Sequence, residues 1–516
     1  MFLSKKEKPK NILQDRLSQV VTNIPGQGKN NLIFSELTHG TCIFGASGGG
    51  KSSGPMAWLT RAILKHSTRP GGLFVSVKAS DTQDIINEVK AAGREEDLVV
   101  IGPNSPYKIN ALQYELVRTG PDDIRYNEAL DVIMEIFTLG EHYEAGGGGS
   151  GEQERFWSKA MRRCMTRIIM LLVLSKTPVT IANIRKVLIN TFDSEDVHHY
   201  EELWRQINSE DETERERAIA EFNDWRADNF FLHCFSAANF RELSKNESET
   251  FELVAEYFLK IWNKVSEKTR AIVVESLLGL AEPFLSGVLK SHFSQEMSVQ
   301  ARPERCYKEG ALIVLDVPIK EHGISAIYAA GMMKKLFQLV VERRRPDLED
   351  NPRPCFLWLD EYAFLCSPFS DDKFQSSCRS TMTMAIYATQ SINNIEIAMG
   401  KTSSKAKTKA LLTNLGTQIF CGNICPDTNR YASDLIGKDF IEIQGRNFND
   451  ASSGITMNQQ RHDVVAPETF ATLKSGGLTN SYKVESIMLV RGKTWSSGER
   501  CFEAVWDQNG KGQKFY

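Results

Sequence analysis

The sequence predicts an α/β fold whose parallel sheet is interrupted along the chain by an all-α domain. Apolar runs of strand length alternate with helical patterns early in the chain, are missing from its middle and return towards its end. Alternation of strands and helices favours a parallel sheet. The predicted parts are 1–111 and 306–516 for the α/β domain and 112–305 for the all-α domain.

The opening segment contains the apolar strand Thr41–Gly45, which runs into glycines and is followed by helical spacing over Pro55–Leu64. Two more strands are predicted at Gly72–Val77 and Leu98–Ile101. We therefore expect a strand, a glycine-rich loop and a helix, followed by further strands of the same sheet.

Long helical segments fill the middle of the chain, and the charged stretch Glu210–Glu221 is interpreted as a solvated helix face. The run Gly146–Gly151 has the composition of a flexible linker, either a natural mobile loop or an engineered replacement. The predicted helical segments are Tyr126–Phe137, Phe156–Leu174, Thr180–Leu188 and Phe251–Phe284. The returning strands are Ala311–Leu315, Phe356–Leu359, Met384–Ala388, Thr417–Cys421 and Val484–Val490.

Composition excludes two classes of protein. The 516 residues include 62 Lys and Arg against 65 Asp and Glu, a net charge of −3, which excludes a globally basic nucleic-acid coat protein. With 41% hydrophobic and 25% charged residues, the chain is also not globally disordered. Length alone suggests about three domains, which the strand and helix pattern reduces to two.

The sequence shows neither a membrane span nor a secretory signal, which predicts a cytoplasmic protein. The longest uninterrupted apolar run is Ile168–Leu174, which is too short for a membrane span, and Met1–Lys10 has no apolar stretch after its charges. The ten cysteines are scattered, and Cys421 and Cys425 lack a second pair that would complete a zinc site. We expect reduced thiols.

The strongest motif lies between the first predicted strand and helix, where Gly45–Ser52 satisfies G-x-x-x-x-G-K-[ST]. In such a loop, backbone N–H groups and the helix N-terminus hold phosphate oxygens. Lys51 is predicted to neutralise the β- and γ-phosphates of ATP, and the Ser52 hydroxyl to bind Mg²⁺. The residues predicted to hold the nucleotide are Gly45, Ala46, Ser47, Gly48, Gly49, Gly50, Lys51, Ser52 and Ser53.

Two later strands end in polar side chains that suit the same site. The strand ending at Leu359 is followed by Asp360, predicted to hold Mg²⁺, and by Glu361, predicted to polarise the attacking water as general base. Gln390 follows another apolar strand and is predicted to sense the γ-phosphate, its alternative being an ordinary strand-capping amide. Arg379, on a predicted helix 373–381, is either a solvent-facing arginine or an arginine finger for a neighbouring subunit.

The order of these motifs resembles that of the coupling ATPases of type IV secretion, the TraG/TraD type. The resemblance extends over most of the chain. The segments that carry it are Gly45–Ser52, Phe156-Trp157, Ser266–Phe284, Asp360-Glu361, Arg379, Gln390 and Asp427–Gly437.

That resemblance implies a RecA-like P-loop NTPase domain with an inserted all-α domain. It also implies membership of the wider FtsK/HerA group and assembly as a homo-hexamer. Lys51 and Ser52 then take the Walker A role, Asp360 and Glu361 the Walker B role, Arg379 the trans-acting finger and Gln390 the sensor. The implied partners are DNA, a relaxase or secreted protein, and a channel or membrane-anchor protein.

Three features depart from the family pattern. Family members usually begin with membrane helices, whereas here the P-loop starts 44 residues in, so we expect any attachment to the inner face of the membrane to run through a partner protein. Family members carry a second arginine just before the P-loop strand, whereas this chain has Leu37–Gly40 there. On the second strand, Lys78 is present but the usual acidic residue before it is absent.

A lysine-rich segment after the sensor strand is a candidate contact for single-stranded DNA, since lysines there would follow phosphates without reading sequence. An ordinary solvated loop is the equally weighted alternative. The lysines are Lys401, Lys405, Lys407 and Lys409.

The sequence therefore favours an ATPase that delivers a DNA or nucleoprotein substrate to a conjugation channel. Two alternatives stay open: a DNA translocase of the FtsK/HerA superfamily in DNA processing or defence, and a substrate receptor that binds ATP without translocating.

Overall fold

The computed structural model describes residues 12–26, 30–76, 78–118, 120, 124–145, 152–400, 402–449 and 452–510. The run Gly146–Gly151 and Lys401, singled out in the sequence, lie outside these residues, and so do the side chains of Phe156 and Trp157.

The described residues divide into two compact units. The first takes in Met1–Val100, Pro303–Pro318 and Phe337–Tyr516 so far as they are described, and the second takes in Ile101–Arg302 and Ile319–Leu336. The chain therefore leaves the first unit after Val100 and returns to it at Pro303. It enters the second unit once more for Ile319–Leu336 and then stays in the first.

Strands occur in the first unit and at its boundary. They are β1 (Val20–Asn23), β2 (Asn31–Ile33), β3 (Thr41–Phe44), β4 (Gly71–Val75), β5 (Leu98–Ile101), β6 (Leu312–Leu315), β7 (Cys355–Leu359), β8 (Thr383–Thr389), β9 (Thr417–Cys421), β10 (Lys438–Asn449), β11 (Ser452–Asp463), β12 (Lys483–Val490) and β13 (Cys501–Asp507). No strand lies between β5 and β6 in the part of the chain that the structure describes.

Nine of these strands form one sheet in the order β13-β12-β9-β3-β8-β7-β4-β6-β5. The pairs from β9 through β3, β8, β7 and β4 to β6 are parallel, while β12 runs antiparallel to both β9 and β13. The predicted parallel sheet is therefore confirmed, with an antiparallel edge. β1 pairs only with β2, and β10 pairs only with β11 in a two-stranded ribbon.

Helices of the first unit flank this sheet or connect its strands. They are α1 (Ile12–Leu17), α2 (Phe34–Leu37), α3 (Ala57–Lys65) and α4 (Ala79–Ala91) before the second unit. The chain after it adds α15 (Glu304–Lys308), α18 (Asp371–Ser377), α19 (Ile392–Ala398), α20 (Ser404–Thr413), α21 (Pro426–Ile436) and α22 (Thr469–Thr472).

Helices make up the second unit. They are α5 (Ala111–Val117), α6 (Tyr126–Ala145), α7 (Glu152–Leu174), α8 (Ile181–Ile189), α9 (Ser194–Ile207), α10 (Glu212–Asp228), α11 (Phe230–Asn239), α12 (Lys245–Glu256), α13 (Glu267–Ala281), α14 (Gly287–His292) and α16 (Ile319–His322). Helix α17 (Ile324–Glu342) starts in this unit and ends in the first.

The predicted helical segment Phe251–Phe284 is divided in the structure. Helix α12 continues into a π-helical turn at Tyr257–Ile261 and a 3₁₀ turn at Trp262–Lys264, and α13 starts anew. The Ser266 hydroxyl accepts a hydrogen bond from Thr269 N at 3.3 Å, which is the side-chain cap of a new helix. The prediction of one continuous segment was therefore wrong.

Within the described part of the chain, helix α17 is long and apolar enough, by length and composition, to cross a membrane. In this structure 89% of its apolar window is buried inside the protein.

Apolar packing on the sheet fixes the first unit. Helix α3 buries Leu59 and Ile63, and its Trp58 meets Trp506 of β13 edge to face at 5.9 Å. Fully burying such side chains contributes roughly 1.5–3 kcal/mol each. Because only the turn Ser52–Met56 separates α3 from the loop after β3, this packing also holds that loop at the sheet edge.

All ten cysteines are unpaired, and all but Cys425 are buried. Burial raises the pKa of the Cys421 thiol to about 12, so it is a thiol at neutral pH.

Candidate nucleotide-binding site

The carboxyl ends of four neighbouring parallel strands bring the predicted site residues to one edge of the sheet. Gly45 follows β3, Gln390 follows β8 and Asp360 follows β7, while Lys78 lies three residues beyond β4. Since β3, β8, β7 and β4 are adjacent in that order, these side chains converge. Crevices at this edge of parallel sheets are where ligands bind.

Backbone hydrogen bonds fix the start of the glycine-rich loop. Gly45 N donates to Thr389 O at 3.2 Å, and Ala46 N donates to Gly422 O at 3.0 Å. Gly49 N then folds back to Ala46 O at 2.8 Å. The loop is therefore held from both neighbouring strands, β8 and β9.

Glycines are required in this loop for conformation and for space. Gly48 and Gly50 have φ values of +74° and +86°, a region that side chains other than glycine rarely adopt. A Cβ atom on Gly49 would lie 2.5 Å from Gly422 O, and one on Gly50 would lie 2.7 Å from the Val484 methyl carbons. The loop backbone is therefore packed directly against Gly422 and Val484, where no side chain would fit.

A π-helical turn, Ser52–Met56, separates the loop from α3. Pro55 has no N–H to offer the Lys51 carbonyl, and Met56 N makes that bond instead at 3.1 Å. The α-helix therefore begins at Ala57, whereas the sequence pattern predicted helix from Pro55.

Three side chains converge on the Glu361 carboxylate. Lys51 Nζ lies 3.2 Å and Lys78 Nζ 3.3 Å from Oε1, and Gln390 Nε2 donates to both oxygens at 3.2 and 3.3 Å. Glu361 and Lys51 are each 5% exposed. Burial alone would raise the pKa of Glu361, but Lys51 and then Lys78 hold it below its usual range. The carboxylate is therefore ionised and able to accept a proton.

Asp360 lies beside it in a different environment. The Ser52 hydroxyl donates to Asp360 Oδ2 and Glu361 N donates to Oδ1, both at 2.9 Å. Asp360 is fully buried, and this burial raises its pKa to about 6 although Lys51 opposes the shift. A hydroxyl and a carboxylate at this spacing are the oxygen ligands that Mg²⁺ prefers.

A pocket of about 540 Å³ opens over the loop. Its volume lies in the range of ligand-binding clefts, roughly 300–1,000 Å³. Gln508 Nε2 donates to Ser53 Oγ at 2.7 Å and so joins the chain after β13 to the pocket wall. Lining residues from the loop are Ala46, Ser47, Gly48, Gly50, Lys51, Ser52 and Ser53. Further lining residues include Arg61, Lys78, Asp81, Glu88, Ser475 and Gln508.

Sequence reasoning did not assign two residues of this site. Lys78 entered the sequence analysis only as part of a family pattern. Its position just after the carboxyl end of a parallel strand could have indicated a site residue. Asn423 follows β9, and its Nδ2 holds the main-chain oxygen of Gln390 at 2.8 Å. Its position after a buried strand carried the same signal.

Arg379 lies away from these residues. It precedes β8 whereas Gln390 follows it, so the two are separated by the length of a seven-residue strand, about 23 Å. Its side chain is exposed. The helix predicted at 373–381 is observed at Asp371–Ser377, so Arg379 lies in the turn after the helix. In one chain, then, Arg379 is not part of the pocket.

Of the four lysines predicted for a loop, the three that the structure describes lie on helix α20. Lys405 and Lys409 are exposed and Lys407 is half-buried. The expectation of a loop was wrong. The segment Ser404–Thr413 contains alanines, leucines and lysines, which favour a helix.

Residues 354–475 match a family model described as the TraM recognition site of TraD and TraG. No curated protein matches the chain. The predicted resemblance to coupling proteins of the TraG/TraD type is confirmed.

Solved structures of one coupling protein match nearly the whole chain. The unbound monoclinic form of the bacterial conjugative coupling protein TrwBdeltaN70 is 13% identical, with a TM-score of 0.60 over 96% of this chain and 90% of that chain. The plasmid coupling protein TrwB in complex with the non-hydrolysable GTP analogue GDPNP is 12% identical, with a TM-score of 0.60 over 97% and 93%. TrwB in complex with ADP and Mg²⁺ is 12% identical, with a TM-score of 0.57 over 97% and 92%. The predicted α/β fold of a RecA-like P-loop NTPase with an all-α domain is confirmed.

Proposed function

We propose that this chain, similar in fold and motifs to TraG/TraD-type coupling proteins, is an ATPase that delivers a DNA or nucleoprotein substrate to a conjugation channel. The observation that carries the proposal is the convergence of Lys51, Lys78 and Gln390 on the Glu361 carboxylate at the mouth of the glycine-rich loop. Such an arrangement serves phosphoryl transfer to water.

The loop fits a nucleoside triphosphate with Mg²⁺. Gly48 and Gly50 give the loop the positive φ values that turn its backbone, and Ser52 and Asp360 provide the oxygen donors for the metal. Residues Gly45 to Ser53 would hold the phosphates, and Mg²⁺ would supply charge neutralisation at the β- and γ-oxygens. TrwB, the protein with the matching fold, is described in complexes with ADP and Mg²⁺ and with ADPNP.

Each charged or polar side chain then has a distinct role. Glu361 accepts the proton of the attacking water, for which its ionised state is required. Lys51 exchanges its contact with Glu361 for the phosphate oxygens, and Gln390 keeps the carboxylate oriented. Arg379 acts on the nucleotide of a neighbouring subunit in a homo-hexamer, since its distance from Gln390 excludes its own pocket.

The proposed partners follow from the same resemblance. They are DNA, bound as a single strand without sequence preference, a relaxase or secreted protein, and a channel or membrane-anchor protein. The match of residues 354–475 to a TraM recognition model supports a protein partner for this part of the chain. We place the protein in the cytoplasm, at the inner face of the membrane through that partner.

Glu361→Gln tests the ATPase. It keeps the size of the side chain but removes the base, so ATP hydrolysis is expected to fall by at least about a hundredfold while nucleotide binding persists. Lys51→Ala is expected to weaken nucleotide binding as well. Malachite-green phosphate release and fluorescent nucleotide titration measure the two effects, with and without single-stranded DNA.

The matched control is Glu96→Gln, the same change at an exposed glutamate that pairs only with Arg69 among the described contacts. It should hydrolyse ATP like the wild type. Unchanged hydrolysis in Glu361→Gln would refute the ATPase proposal. Wild-type hydrolysis that no form of DNA stimulates, together with relaxase binding, would favour the receptor alternative.

A further inference from the structure

Glu361, the general base of the proposed function, stands where the chain leaves β7 and turns sharply. Glu361 has a positive φ, and a 3₁₀ turn, Tyr362–Leu365, follows it directly. Phe364 N donates to Glu361 O at 3.1 Å within this turn. A residue other than glycine keeps such a backbone conformation only when its surroundings hold it. The position of the carboxylate therefore depends on what fastens the residues after it.

Tyr362, the next residue, is held by its ring and by its hydroxyl. The side chain is fully buried, and its ring stacks on that of Tyr387 of β8, with centres 4.2 Å apart and planes 3° from parallel. The Tyr362 hydroxyl donates to Asp371 Oδ2 at 2.7 Å. The ring contact fixes the side chain against the neighbouring strand, and the hydrogen bond fixes its far end.

Asp371 is in turn held from two further directions. It is fully buried at the start of α18, and it accepts hydrogen bonds from Ser367 N at 2.9 Å and from Gln338 Nε2 of α17 at 3.0 Å. Removing a donor from a buried carboxylate is costly because its oxygen is left unsatisfied. The Tyr362 hydroxyl is therefore bound to an acceptor whose own place is fixed by two other segments of the chain.

This attachment matters most when a nucleotide is bound. Lys51 pairs with Glu361 at 3.2 Å, and in the proposed function it exchanges that contact for phosphate oxygens. Glu361 then keeps Lys78, at 3.3 Å, and the Gln390 amide as side-chain partners. With one of three partners gone, the backbone turn that carries Glu361 has a larger share in aiming the carboxylate.

We propose that Tyr362 and Asp371 are positioning residues for Glu361. Their hydrogen bond keeps the turn after β7 in the conformation that aims the carboxylate at the attacking water. Both residues lie outside the pocket lining, so they act through Glu361 and not on the nucleotide itself. The inference rests on the proposed function, since it assigns a role in the same reaction. Breaking the hydrogen bond should therefore slow the chemical step and leave nucleotide binding intact.

Tyr362→Phe in the full chain tests the inference, because it removes one oxygen atom and keeps the ring. We expect kcat for ATP hydrolysis to fall about ten- to a hundredfold, the size of effect that a misplacement of roughly 1 Å has on a reaction. The single-turnover rate should fall equally. The KM for ATP and the dissociation constant of a fluorescent ATP analogue should stay within about twofold of the wild type. Thermal melting followed by circular dichroism shows that the variant is folded.

A double variant identifies the hydrogen bond as the cause. Asp371→Asn keeps the size of the side chain but replaces one acceptor oxygen with a donor group, and it should also slow hydrolysis. Because both residues act through one hydrogen bond, Tyr362→Phe combined with Asp371→Asn should be about as slow as the slower single variant. Two independent losses would multiply instead.

The matched control is Tyr387→Phe, the same change on the ring that stacks against Tyr362. Tyr387 is equally buried, but its hydroxyl oxygen has no hydrogen-bond partner among the described residues. The variant keeps the stacked ring, so its kcat should equal that of the wild type.

The outcomes separate this inference from the proposed function. A wild-type kcat in Tyr362→Phe, together with loss of hydrolysis in Glu361→Gln, would overturn the inference and leave the proposed function standing. A loss in Tyr362→Phe that Tyr387→Phe shares, or that weaker nucleotide binding accounts for, would assign Tyr362 to stability and overturn the inference as well. Normal hydrolysis in Glu361→Gln would overturn the proposed function and the inference with it.

Discussion

Glu361 has a left-handed backbone conformation, with φ 50° and ψ 49°. Such a conformation costs a residue other than glycine roughly 1–2 kcal/mol. It turns the carboxylate back across the end of β7, to where Lys51 and Lys78 reach it. Strained residues of this kind are concentrated at functional sites, since surrounding contacts must hold them in place.

Lys78→Met should shift the pH dependence of hydrolysis. Lys78 is one of two ammonium groups that lower the pKa of Glu361, so its loss raises that pKa. Because the base must be ionised, activity is then lost at a higher pH on the acid side, displaced by roughly one pH unit or less given the partial exposure of Lys78. The rate of ATP hydrolysis measured from pH 5 to 8 reports the displacement.

The control for this shift is Lys90→Met, at an exposed lysine on α4. Its pH profile should coincide with that of the wild type. An acid limb in Lys78→Met that stays in place, or moves to lower pH, would contradict the role assigned to Lys78.

Residues of the loop motif were predictable, and Lys78 was not. Gly45 to Ser52 form a contiguous pattern whose spacing alone predicts a phosphate loop. Lys78 acquires its role from a contact with Glu361 between the neighbouring strands β4 and β7, which are far apart in the chain, and no local pattern encodes that contact. The fold of its surroundings had to be known first.

Two glycines of the loop, Gly48 and Gly50, form a natural pair for a test at the level of the element. Both have positive φ, but a Cβ atom meets nothing within 4 Å at Gly48 and the Val484 methyl carbons at 2.7 Å at Gly50. Gly48→Ala should therefore lower the free energy of unfolding by about 1–2 kcal/mol from backbone strain alone. Gly50→Ala adds a steric conflict and should lower it by about 2–4 kcal/mol.

Urea unfolding followed by circular dichroism measures both changes. Equal losses in the two variants, or a larger loss in Gly48→Ala, would mean that β12 does not press on the loop as the structure has it.

Strands with uninterrupted apolar runs, such as β7 and β9, were predicted to within a residue because both of their faces are buried. The ribbon of β10 and β11 was missed. Its strands mix amides, charges and few apolar residues, and each finds its hydrogen bonds only in the other. The described ends of both strands, residues 438–442 and 459–462, are exposed. A strand without a buried face has no period of two that a sequence pattern reveals.

At the scale of the molecule, a net charge of −3 is compatible with the proposed handling of DNA. Positive charge is needed only where a polymer passes, and α20 places three described lysines within five residues. The predicted domain boundaries stay predictions. In the structure the first compact unit leaves off at Val100 and resumes at Pro303, and Ile319–Leu336 belongs to the second unit.

Mixing two inactive variants tests the proposed assembly. Arg379→Ala should lower hydrolysis by roughly a thousandfold yet bind nucleotide normally, because the residue lies outside its own pocket. Combined in equal amounts with Lys51→Ala, it should regain up to roughly a quarter of wild-type activity, the share of sites in a ring that join an intact loop to an intact neighbouring arginine. Phosphate release over a series of mixing ratios measures the recovery.

A mixture that stays inactive at every ratio would count against a trans-acting Arg379. Normal hydrolysis in Arg379→Ala alone would remove the arginine from the mechanism altogether.

The contact of Val484 with Gly50 and Gly54 has a consequence for the order of synthesis. Strand β3 leaves the ribosome before its partners β8 and β9, and before the strand β12 that closes over the loop, which all follow the second unit in the chain. The glycine-rich loop therefore has all of its neighbouring strands only after β12 has been made. A chain that stops before β12 carries the entire phosphate-binding motif but lacks the Val484 side chain that packs against Gly50 and Gly54.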